Sequence, residues 1–442
     1  MEIVPYQLAN TNDLLTGRAG LITIAQLMSN LGFSNWVNKH FPHPKSNRGF
    51  APSVFVISLM LMLHEGGRCL DDLRHIRNDD ALRSLLGMDQ VPGSDTVGNW
   101  LRRLGDDGVQ AVTEVNRHLL ERSLASFKNV TLDIDATLSA SKNKSAKWSY
   151  KKCTGYMPMV GHIVETGQIV ATDFREGNVS PSKNNLEFIH QCEEALPDGV
   201  TLSAVRIDAA GYQASIIDEC IDRDIKFAIR ARASKTLKKL ILAQDDSAWK
   251  ALLDRNGKAI EDEYTTQIVH TMGKSNHSFS VVVQRALSKD KDESPDAETN
   301  DDKETLVKSK KYIYRAIAIS ENTELTNSEW IHWYNERGEH SENRIKELKH
   351  DFGADRMPCQ DSSANAFYFS LCALAFNLFV LMRMNLPASF RKARAKTIRW
   401  RVYALAGKLV KHGRKFYLKL KQENRLFLEQ MLFSLNRSAQ AP

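Results

Sequence analysis

Apolar side chains recur at helical spacing through the first 128 residues. One such series ends before Gly32 and comprises Leu21, Ile24, Ala25, Leu27, Met28 and Leu31. Residues 54–63 are apolar on every side, which is typical of a buried helix, and residues 70–76 and 94–104 predict two further helices. We therefore predict an all-helical N-terminal domain over residues 1–128.

The last of these predicted helices follows a turn at Pro92 and Gly93, and it carries the adjacent pair Arg102 and Arg103. Short helices joined by tight glycine turns are typical of a helix-turn-helix module, so this domain is predicted to bind DNA. The alternative is a plain helical bundle that packs on the next domain.

From residue 129 onward the pattern changes to an alternation of apolar and polar side chains, which predicts strands. The expected strands are residues 129–137, 156–164, 168–174, 201–208 and 225–229, and the expected helices are residues 184–196 and 212–221. The second and third strands predict a hairpin that turns at Thr166 and Gly167. This order predicts an α/β sheet of mixed pairing over residues 129–230.

Residues 231–327 interrupt the α/β pattern. Three stretches predict the strands of an inserted sheet, residues 264–269, 278–285 and 312–319. Between the last two, residues 288–310 are rich in Asp, Glu, Lys and Ser, which predicts a solvated and disordered loop.

A helix is expected next, with Ser328 as its N-cap and the acidic Glu329 in its first turn. An apolar helix over residues 364–384 follows, and Pro387 ends it.

Two apolar stretches are candidates for membrane spans. Residues 54–63 are too short to cross a bilayer. Residues 364–386 are long enough, but they contain Asn365, Asn377 and Arg383, which predicts a buried helix instead. We therefore expect no membrane partner.

Charge and cysteine content narrow the class of protein. The chain of 442 residues carries a net charge of +7 and has a pI near 8.9, which favours a polyanionic partner. Its six cysteines are scattered without Cys-x-x-Cys spacing, and the N-terminus lacks a basic-then-apolar signal pattern. A cytoplasmic location in a reducing cytosol is therefore expected.

The most basic stretch is residues 391–420, with eleven Lys or Arg and no Asp or Glu. Aromatic side chains at Trp400, Tyr403, Phe416 and Tyr417 are interleaved with these cations. The spacing of Leu405, Leu409 and Tyr417 predicts amphipathic helices with a basic face that contacts phosphates. A face that is merely solvated is the alternative.

Three acidic residues are candidates for metal-dependent phosphoryl transfer. Asp135 lies on the first predicted strand, Asp208 ends a neighbouring strand, and Glu342 lies on the following helix. Such chemistry needs acidic oxygens that converge on Mg²⁺, and open α/β sheets place their sites at strand ends. Aspartates at strand ends are also common turn formers, and Asp133 would face the same way as Asp135.

Glu342 can also be interpreted as part of a solvated ion pair rather than as a metal ligand. Glu342 and Lys349 are about two helical turns apart and share one face. A carboxylate and a lysine so placed are often a solvated pair, which leaves the function of Glu342 open at this point.

Several motifs resemble the DDE transposases of bacterial insertion sequences, in the cut-and-paste group with a Tyr-Arg-Glu-Lys signature. They are Asp135-Ala136-Thr137, Ile207-Asp208-Ala209-Ala210-Gly211-Tyr212, Gly155-Tyr156, Arg175-Glu176-Gly177-Asn178, Asn365 with Ala375-Phe376-Asn377-Leu378, and the series Tyr334, Arg337, Glu342 and Lys349. The resemblance covers nearly the whole chain.

This resemblance implies a ribonuclease-H-like catalytic core with a mostly β insertion, followed by basic C-terminal helices. It implies a DNA-binding domain at residues 1–128 and a basic tail at residues 387–442. The catalytic core would comprise residues 129–230 and 328–386, with the insertion, residues 231–327, between its two parts. It selects Asp135 rather than Asp133, and it makes Asp135, Asp208 and Glu342 both the catalytic residues and the ligands of Mg²⁺, for which Mn²⁺ would substitute.

The same resemblance implies that Tyr334, Arg337 and Lys349 contact DNA phosphates near the transposon end. The expected partners are double-stranded DNA, comprising terminal inverted repeats and target DNA, and a second copy of the chain in a homodimer. The implied reaction is hydrolysis at the transposon end followed by attack of the freed 3′-hydroxyl on target DNA.

One spacing departs from the signature. Four residues rather than three separate Arg337 from Glu342, and Glu339 is the rival third acid. Gly338 is interpreted as a helix start or a bulge that absorbs the extra residue. Two other functions stay open: a non-catalytic DNA-binding repressor derived from a transposase, and a ribonuclease-H-like nuclease without strand transfer.

Overall fold

The computed structural model describes residues 3–45, 49–288, 307–309, 311–321 and 325–439. The predicted disordered loop at 288–310 lies almost entirely outside these residues.

The α-helices are α1 (Ile22–Asn30), α2 (Phe33–His40), α3 (Pro52–Glu65), α4 (Arg74–Arg77), α5 (Asp80–Leu86), α6 (Ser94–Leu124), α7 (Asn185–Glu194), α8 (Ala214–Asp222), α9 (Lys235–Leu242), α10 (Asn327–Asp351), α11 (Ser362–Asn385), α12 (Ala395–Ile398) and α13 (Gln422–Ala439).

The strands are β1 (Leu14–Thr16), β2 (Asn129–Ala136), β3 (Ser139–Ala140), β4 (Lys147–Trp148), β5 (Thr154–Tyr156), β6 (Met159–Ile163), β7 (Ile169–Asp173), β8 (Thr201–Ile207), β9 (Lys226–Arg230), β10 (Lys250–Leu253), β11 (Ala259–Thr271), β12 (Ser278–Leu287), β13 (Val307–Lys308), β14 (Tyr312–Ile319), β15 (Gly407–His412) and β16 (Lys415–Lys419).

The chain divides into two compact units. The first comprises Met1–Leu119, Asn143–Ser145 and Glu347–Pro442, and the second comprises Leu120–Lys142 and Ala146–Lys346.

The apolar helix α11 forms the centre of the first unit. Among the described helices, α11 is long and apolar enough to span a membrane. The same is true of α3 and residues Leu70–Arg77 if the two are taken as one bent segment. Within α11, however, 94% of the most apolar window is buried inside the protein. Its polar side chains are hydrogen-bonded there: the Asn365 amide donates to the Cys359 carbonyl over 2.8 Å, and that of Asn377 donates to Asn116 over 2.6 Å. The prediction of a buried helix is confirmed.

Two expectations for the first unit are wrong. The N-terminal region is not all-helical, because β1 pairs antiparallel with β15, which in turn pairs with β16. The basic stretch 391–420 therefore includes a hairpin where amphipathic helices were expected. Gly413 turns this hairpin with a φ of +59°, and the buried residues Gly407 and Leu409 lie two positions apart in β15, which suits a strand with one buried face.

A buried histidine in α3 predicts acid sensitivity of the first unit. Nε2 of His64 donates to the Ala375 carbonyl over 3.1 Å, and Nδ1 accepts from the Tyr403 hydroxyl over 2.9 Å. Burial, aided by the charge of Arg399, lowers the pKa of His64 to about 3. Because the unfolded chain protonates this imidazole first, its contribution is complete above about pH 6.5 and declines below that pH by about 1.4 kcal/mol per unit.

We therefore expect the free energy of unfolding to fall between pH 7 and pH 5, and to fall less steeply in His64→Gln. Urea unfolding followed by circular dichroism at both pH values measures the two slopes. Equal slopes for the wild type and the variant would show that His64 does not carry this effect.

The second unit is built on a ten-stranded sheet. Nine strands follow the order β10-β11-β12-β14-β9-β8-β2-β6-β7, and β13 pairs on β14. Strands β2, β8 and β9 are parallel to one another, and the other pairings are antiparallel. The mixed α/β sheet predicted from the alternation pattern is confirmed, and β14 joins it beside β9.

The strands of the interruption were expected to form a sheet of their own, and this expectation is wrong. Ile319 of β14 pairs with Ala228 of β9, so β10 to β14 extend the central sheet sideways. The physical reason is that β9 would otherwise present a row of unpaired backbone groups at a sheet edge. The pairing with β14 satisfies these groups.

Helices cover both faces of the sheet. On one face, α7, α8 and α9 bury Phe188, Ile216 and Leu237 against the strands. On the other face, α10 buries Trp330 and Tyr334 against β9, β12 and β14. This three-layer arrangement fixes the position of α10 against the sheet.

The first turn of α10 begins two residues earlier than predicted. The Thr326 amide donates to the Glu329 carboxylate over 2.8 Å, and the Glu329 amide donates to the Thr326 hydroxyl over 3.3 Å. This reciprocal capping box makes Thr326 the N-cap in place of Ser328, whose hydroxyl accepts from the Leu253 amide instead. The helix continues through Gly338, so Gly338 is not a helix start.

Candidate functional site

Two of the predicted acids come together at one edge of the sheet. In the parallel pair β2 and β8, Ile134 stands opposite Ile207. Asp135 and Asp208, the next residues along each strand, therefore emerge side by side at the carboxyl ends. Ligands of open α/β sheets bind at this edge.

Asp208 also forms the turn that strand-end aspartates commonly make. Its Oδ1 accepts a hydrogen bond from the Ala210 amide over 2.9 Å, which caps the short turn Ala209–Gly211. A carboxylate has lone pairs beyond the one used here, so this bond leaves Asp208 able to bind a cation.

The environment of Asp135 disfavours the charged form of its carboxylate. Burial raises its pKa, the neighbouring charge of Asp208 raises it further, and the cations of Arg337 and Lys151 oppose this effect. Two carboxylates that repel one another in a partly buried site are stabilised when a cation lies between them. The pair therefore fits a hard divalent cation in both charge and donor type.

Arg337 ties α10 to β2 at this point. Its Nη2 donates to the Ile134 carbonyl over 2.7 Å and lies 3.6 Å from Oδ1 of Asp135. Burial alone would lower the pKa of Arg337, but the facing charges, Asp135 first among them, raise it instead. The guanidinium stays charged, and its role in this structure is to hold the helix and Asp135 together.

Tyr334 and Lys349 were predicted, with Arg337, to contact DNA phosphates. The Tyr334 side chain is buried in the core beneath α10, and its ring faces the Arg230 guanidinium at 5.2 Å. Lys349 is half-buried and belongs to the first compact unit. The burial of Tyr334 and Arg337 gives both a packing role, and phosphate contact by all three residues stays a prediction.

Glu342 does not join the two aspartates. Its side chain is 65% exposed, and its Oε2 lies 3.9 Å from the ammonium of Lys346, rather than that of Lys349, with which a solvated pair was the alternative. The reason is helical geometry: Arg337, Ser341 and Arg344 follow the buried face, and Glu342 is turned about 100° from Ser341. Within the described residues, no three His, Cys, Asp or Glu side chains are arranged to hold a metal ion. The rival Glu339 has a side chain outside the described part.

Asp133 is engaged elsewhere. It is fully buried, and Nε and Nη2 of Arg206 donate to its two oxygens over 2.7 and 2.9 Å. Nη1 of Arg206 donates to the Trp333 carbonyl of α10 over 2.6 Å, and His162 lies 3.8 Å from Asp133. Strand spacing alone could not distinguish Asp133 from Asp135 as the candidate metal ligand. In the structure, Asp135 is the one that lies at the carboxyl edge of the sheet.

Sequence reasoning missed Arg206. An arginine within a strand reads as a solvent-facing residue, and the sequence holds no signal that places it opposite Asp133. Its parallel pairing with Asp133 in the β2–β8 register is what reveals the contact.

One protein family matches this chain over nearly its whole length. The family described as Transposase DDE domain group 1 matches residues 7–438. No curated protein matches the chain. Among solved structures, the chain is similar to a piggyBac transposase synaptic complex with hairpin DNA determined by cryo-EM, with 11% identity and a TM-score of 0.42 over 96% of this chain and 82% of that chain. A TM-score of 0.42 does not establish that the two proteins share a fold.

Proposed function

We propose that this chain, which belongs to the DDE transposase family, cleaves DNA at the ends of a bacterial insertion sequence and joins each freed 3′-hydroxyl to target DNA. The observation that carries this proposal is the in-register placement of Asp135 and Asp208 at the carboxyl edge of two parallel strands. The strand order β7-β6-β2-β8-β9 supports a ribonuclease-H-like core around them.

Asp135 and Asp208 would hold Mg²⁺, for which Mn²⁺ would substitute. A divalent cation in such a site lowers the pKa of a coordinated water and stabilises the leaving oxygen of an in-line displacement. Arg337 keeps Asp135 and α10 in contact, and the Ala210 amide orients Asp208. Glu342 is proposed as the third ligand, supplied when DNA binding repositions its exposed side chain.

DNA would be held by the N-terminal helices and by the basic stretch 391–420, with Lys349 near the transposon end. Phosphate contacts by such cations fix register on DNA and do not read sequence. We propose that two copies act together as a homodimer, each on one terminal inverted repeat.

A strand-joining assay tests this function. End-labelled DNA that carries the terminal repeat flanking this reading frame is incubated with the protein, Mg²⁺ and an unlabelled target plasmid. We expect labelled DNA to become joined to the plasmid, and the product to be absent with EDTA. Cleavage without joining would identify a nuclease, and binding without cleavage in either Mg²⁺ or Mn²⁺ would identify a DNA-binding repressor.

A further inference from the structure

The hairpin formed by β15 and β16 projects beyond the strand that anchors it. The pairing of β1 with β15 covers only Gly407 to Leu409, so the hairpin continues past Leu409 as a ribbon of two strands. Gly413 and Arg414 form its two-residue turn, and residues 411–417 are all exposed. We call residues 411–417 the basic tip.

The base of the hairpin is fixed by apolar packing and by an ion pair. Leu409 is only 3% exposed, and Leu418 packs against a cluster that includes Leu428 of α13. The Lys408 ammonium lies 2.8 Å from the Asp13 carboxylate, which precedes β1. The basic tip is therefore presented on an ordered base before any ligand arrives.

The basic tip carries positive charge without any acidic residue. Its cations are Lys411, Arg414 and Lys415, and the aromatic Phe416 and Tyr417 follow them. Across the two strands, the Lys411 ammonium lies 5.5 Å from the centre of the Phe416 ring. Projecting cations with no acid between them fit a polyanionic partner.

The dimensions of the ribbon favour duplex DNA as that polyanion. Leu409 is the last residue of β15 that pairs with β1, and His412 is the last residue of the strand. The three steps between them advance the ribbon by about 10 Å, at about 3.3 Å per residue. The major groove of DNA is about 8.5 Å deep and about 12 Å wide, and it admits a two-stranded ribbon. A single strand has no groove and would leave most of the basic tip in solvent.

We propose that the basic tip enters the major groove of the terminal-repeat duplex, where Arg414 reads a guanine and Lys411 and Lys415 contact the flanking phosphates. Arg414 lies in the turn, and a guanidinium can donate two hydrogen bonds to O6 and N7 of guanine. This inference rests on the proposed function, because that function supplies the terminal repeat as the ligand. It goes further, since phosphate contacts fix register and carry no sequence information.

A binding cycle in EDTA tests this contact independently of catalysis. The probes are the terminal-repeat duplex and the same duplex with 7-deazaguanine in place of guanine, which lacks the N7 acceptor in the major groove. The variants are Arg414→Ala, Arg414→Lys and the control Lys392→Ala, because Lys392 is an exposed cation of the same basic stretch outside the hairpin. Affinity is measured by anisotropy at one fixed salt concentration, and folding by thermal melting.

We expect Arg414→Ala to bind the unmodified duplex about tenfold more weakly than the wild type, and Lys392→Ala to stay within about twofold. The preference of the wild type for unmodified over modified duplex should be about tenfold larger than that of Arg414→Ala. Arg414→Lys keeps the charge but loses the planar fork of donors, so it should still bind the unmodified duplex several-fold more weakly than the wild type.

Equal sensitivity of the wild type and Arg414→Ala to 7-deazaguanine would overturn the proposal, because Arg414 would then read no guanine. Wild-type affinity in Arg414→Lys on both duplexes would also overturn it, since charge alone would account for the binding. Dependence of the guanine preference on Arg414, in a protein that neither cuts nor joins DNA, would refute the proposed function and leave this inference standing. Strand joining without that dependence would do the reverse.

Discussion

Replacement of Asp135 by asparagine is expected to reduce DNA cleavage and joining by at least about 10³-fold, equivalent to roughly 4 kcal/mol of transition-state stabilisation. Asparagine preserves the volume of the side chain but removes the anionic oxygen that a hard divalent cation prefers. Affinity for terminal-repeat DNA should be retained, because the substitution removes a negative charge. The strand-joining assay and an anisotropy titration measure the two quantities.

Asp208→Asn should behave like Asp135→Asn, since the two residues stand in register. The matched control is Asp198→Asn, because Asp198 is exposed and precedes β8 at the opposite end of that strand. Cleavage that survives in Asp135→Asn at the wild-type rate would remove the pair from the reaction.

The third acid is decided by the same assay. Glu342→Gln should be inactive and Glu339→Gln should be active. The reverse result would transfer the assignment to Glu339 and leave the two aspartates in place.

Arg206→Ala is expected to lower the free energy of unfolding of the second unit by about 3–5 kcal/mol. The substitution leaves the fully buried Asp133 carboxylate without the two hydrogen bonds that Arg206 donates. It also removes the bond to the Trp333 carbonyl that holds α10. Urea unfolding, monitored by circular dichroism, measures the change.

An exposed pair in the same unit provides the control. Arg223→Ala removes ion pairs with Glu193 and Glu219 at the surface and should cost no more than about 1 kcal/mol. The double variant Asp133→Leu with Arg206→Met should recover much of the stability lost in Arg206→Ala, since it buries no charge. A loss below 1 kcal/mol for Arg206→Ala would mean that the buried pair is not what stabilises this part of the fold.

Alternation of apolar and polar residues was sufficient to predict the central strands, because a sheet with buried faces imposes that period on its sequence. The strand that carries Asp135 was expected at 129–137 and spans Asn129–Ala136, and that before Asp208 was expected at 201–208 and spans Thr201–Ile207. Their juxtaposition follows from the parallel pairing of adjacent strands. This half of the candidate site could thus be predicted from sequence.

Residue spacing failed to predict the secondary structure of a segment that pairs with a distant strand. The basic stretch 391–420 was expected to be helical because Leu405, Leu409 and Tyr417 have helical spacing, but β1 lies far away in sequence and supplies a partner strand for β15. Local spacing carries no information about such a partner. Glu342 is a different case, because one residue more or fewer on a helix turns a side chain by about 100°.

The sideways extension of the sheet has a consequence for synthesis of the protein. Ile229 of β9 pairs with Ala318 of β14, and 318 minus 229 gives a separation of 89 residues. A ribosome that adds about 5–20 residues per second needs roughly 4–18 s to make that stretch. Throughout this interval the nascent polypeptide carries β9 with its outer backbone groups unsatisfied, which makes this the period when chaperone protection matters most.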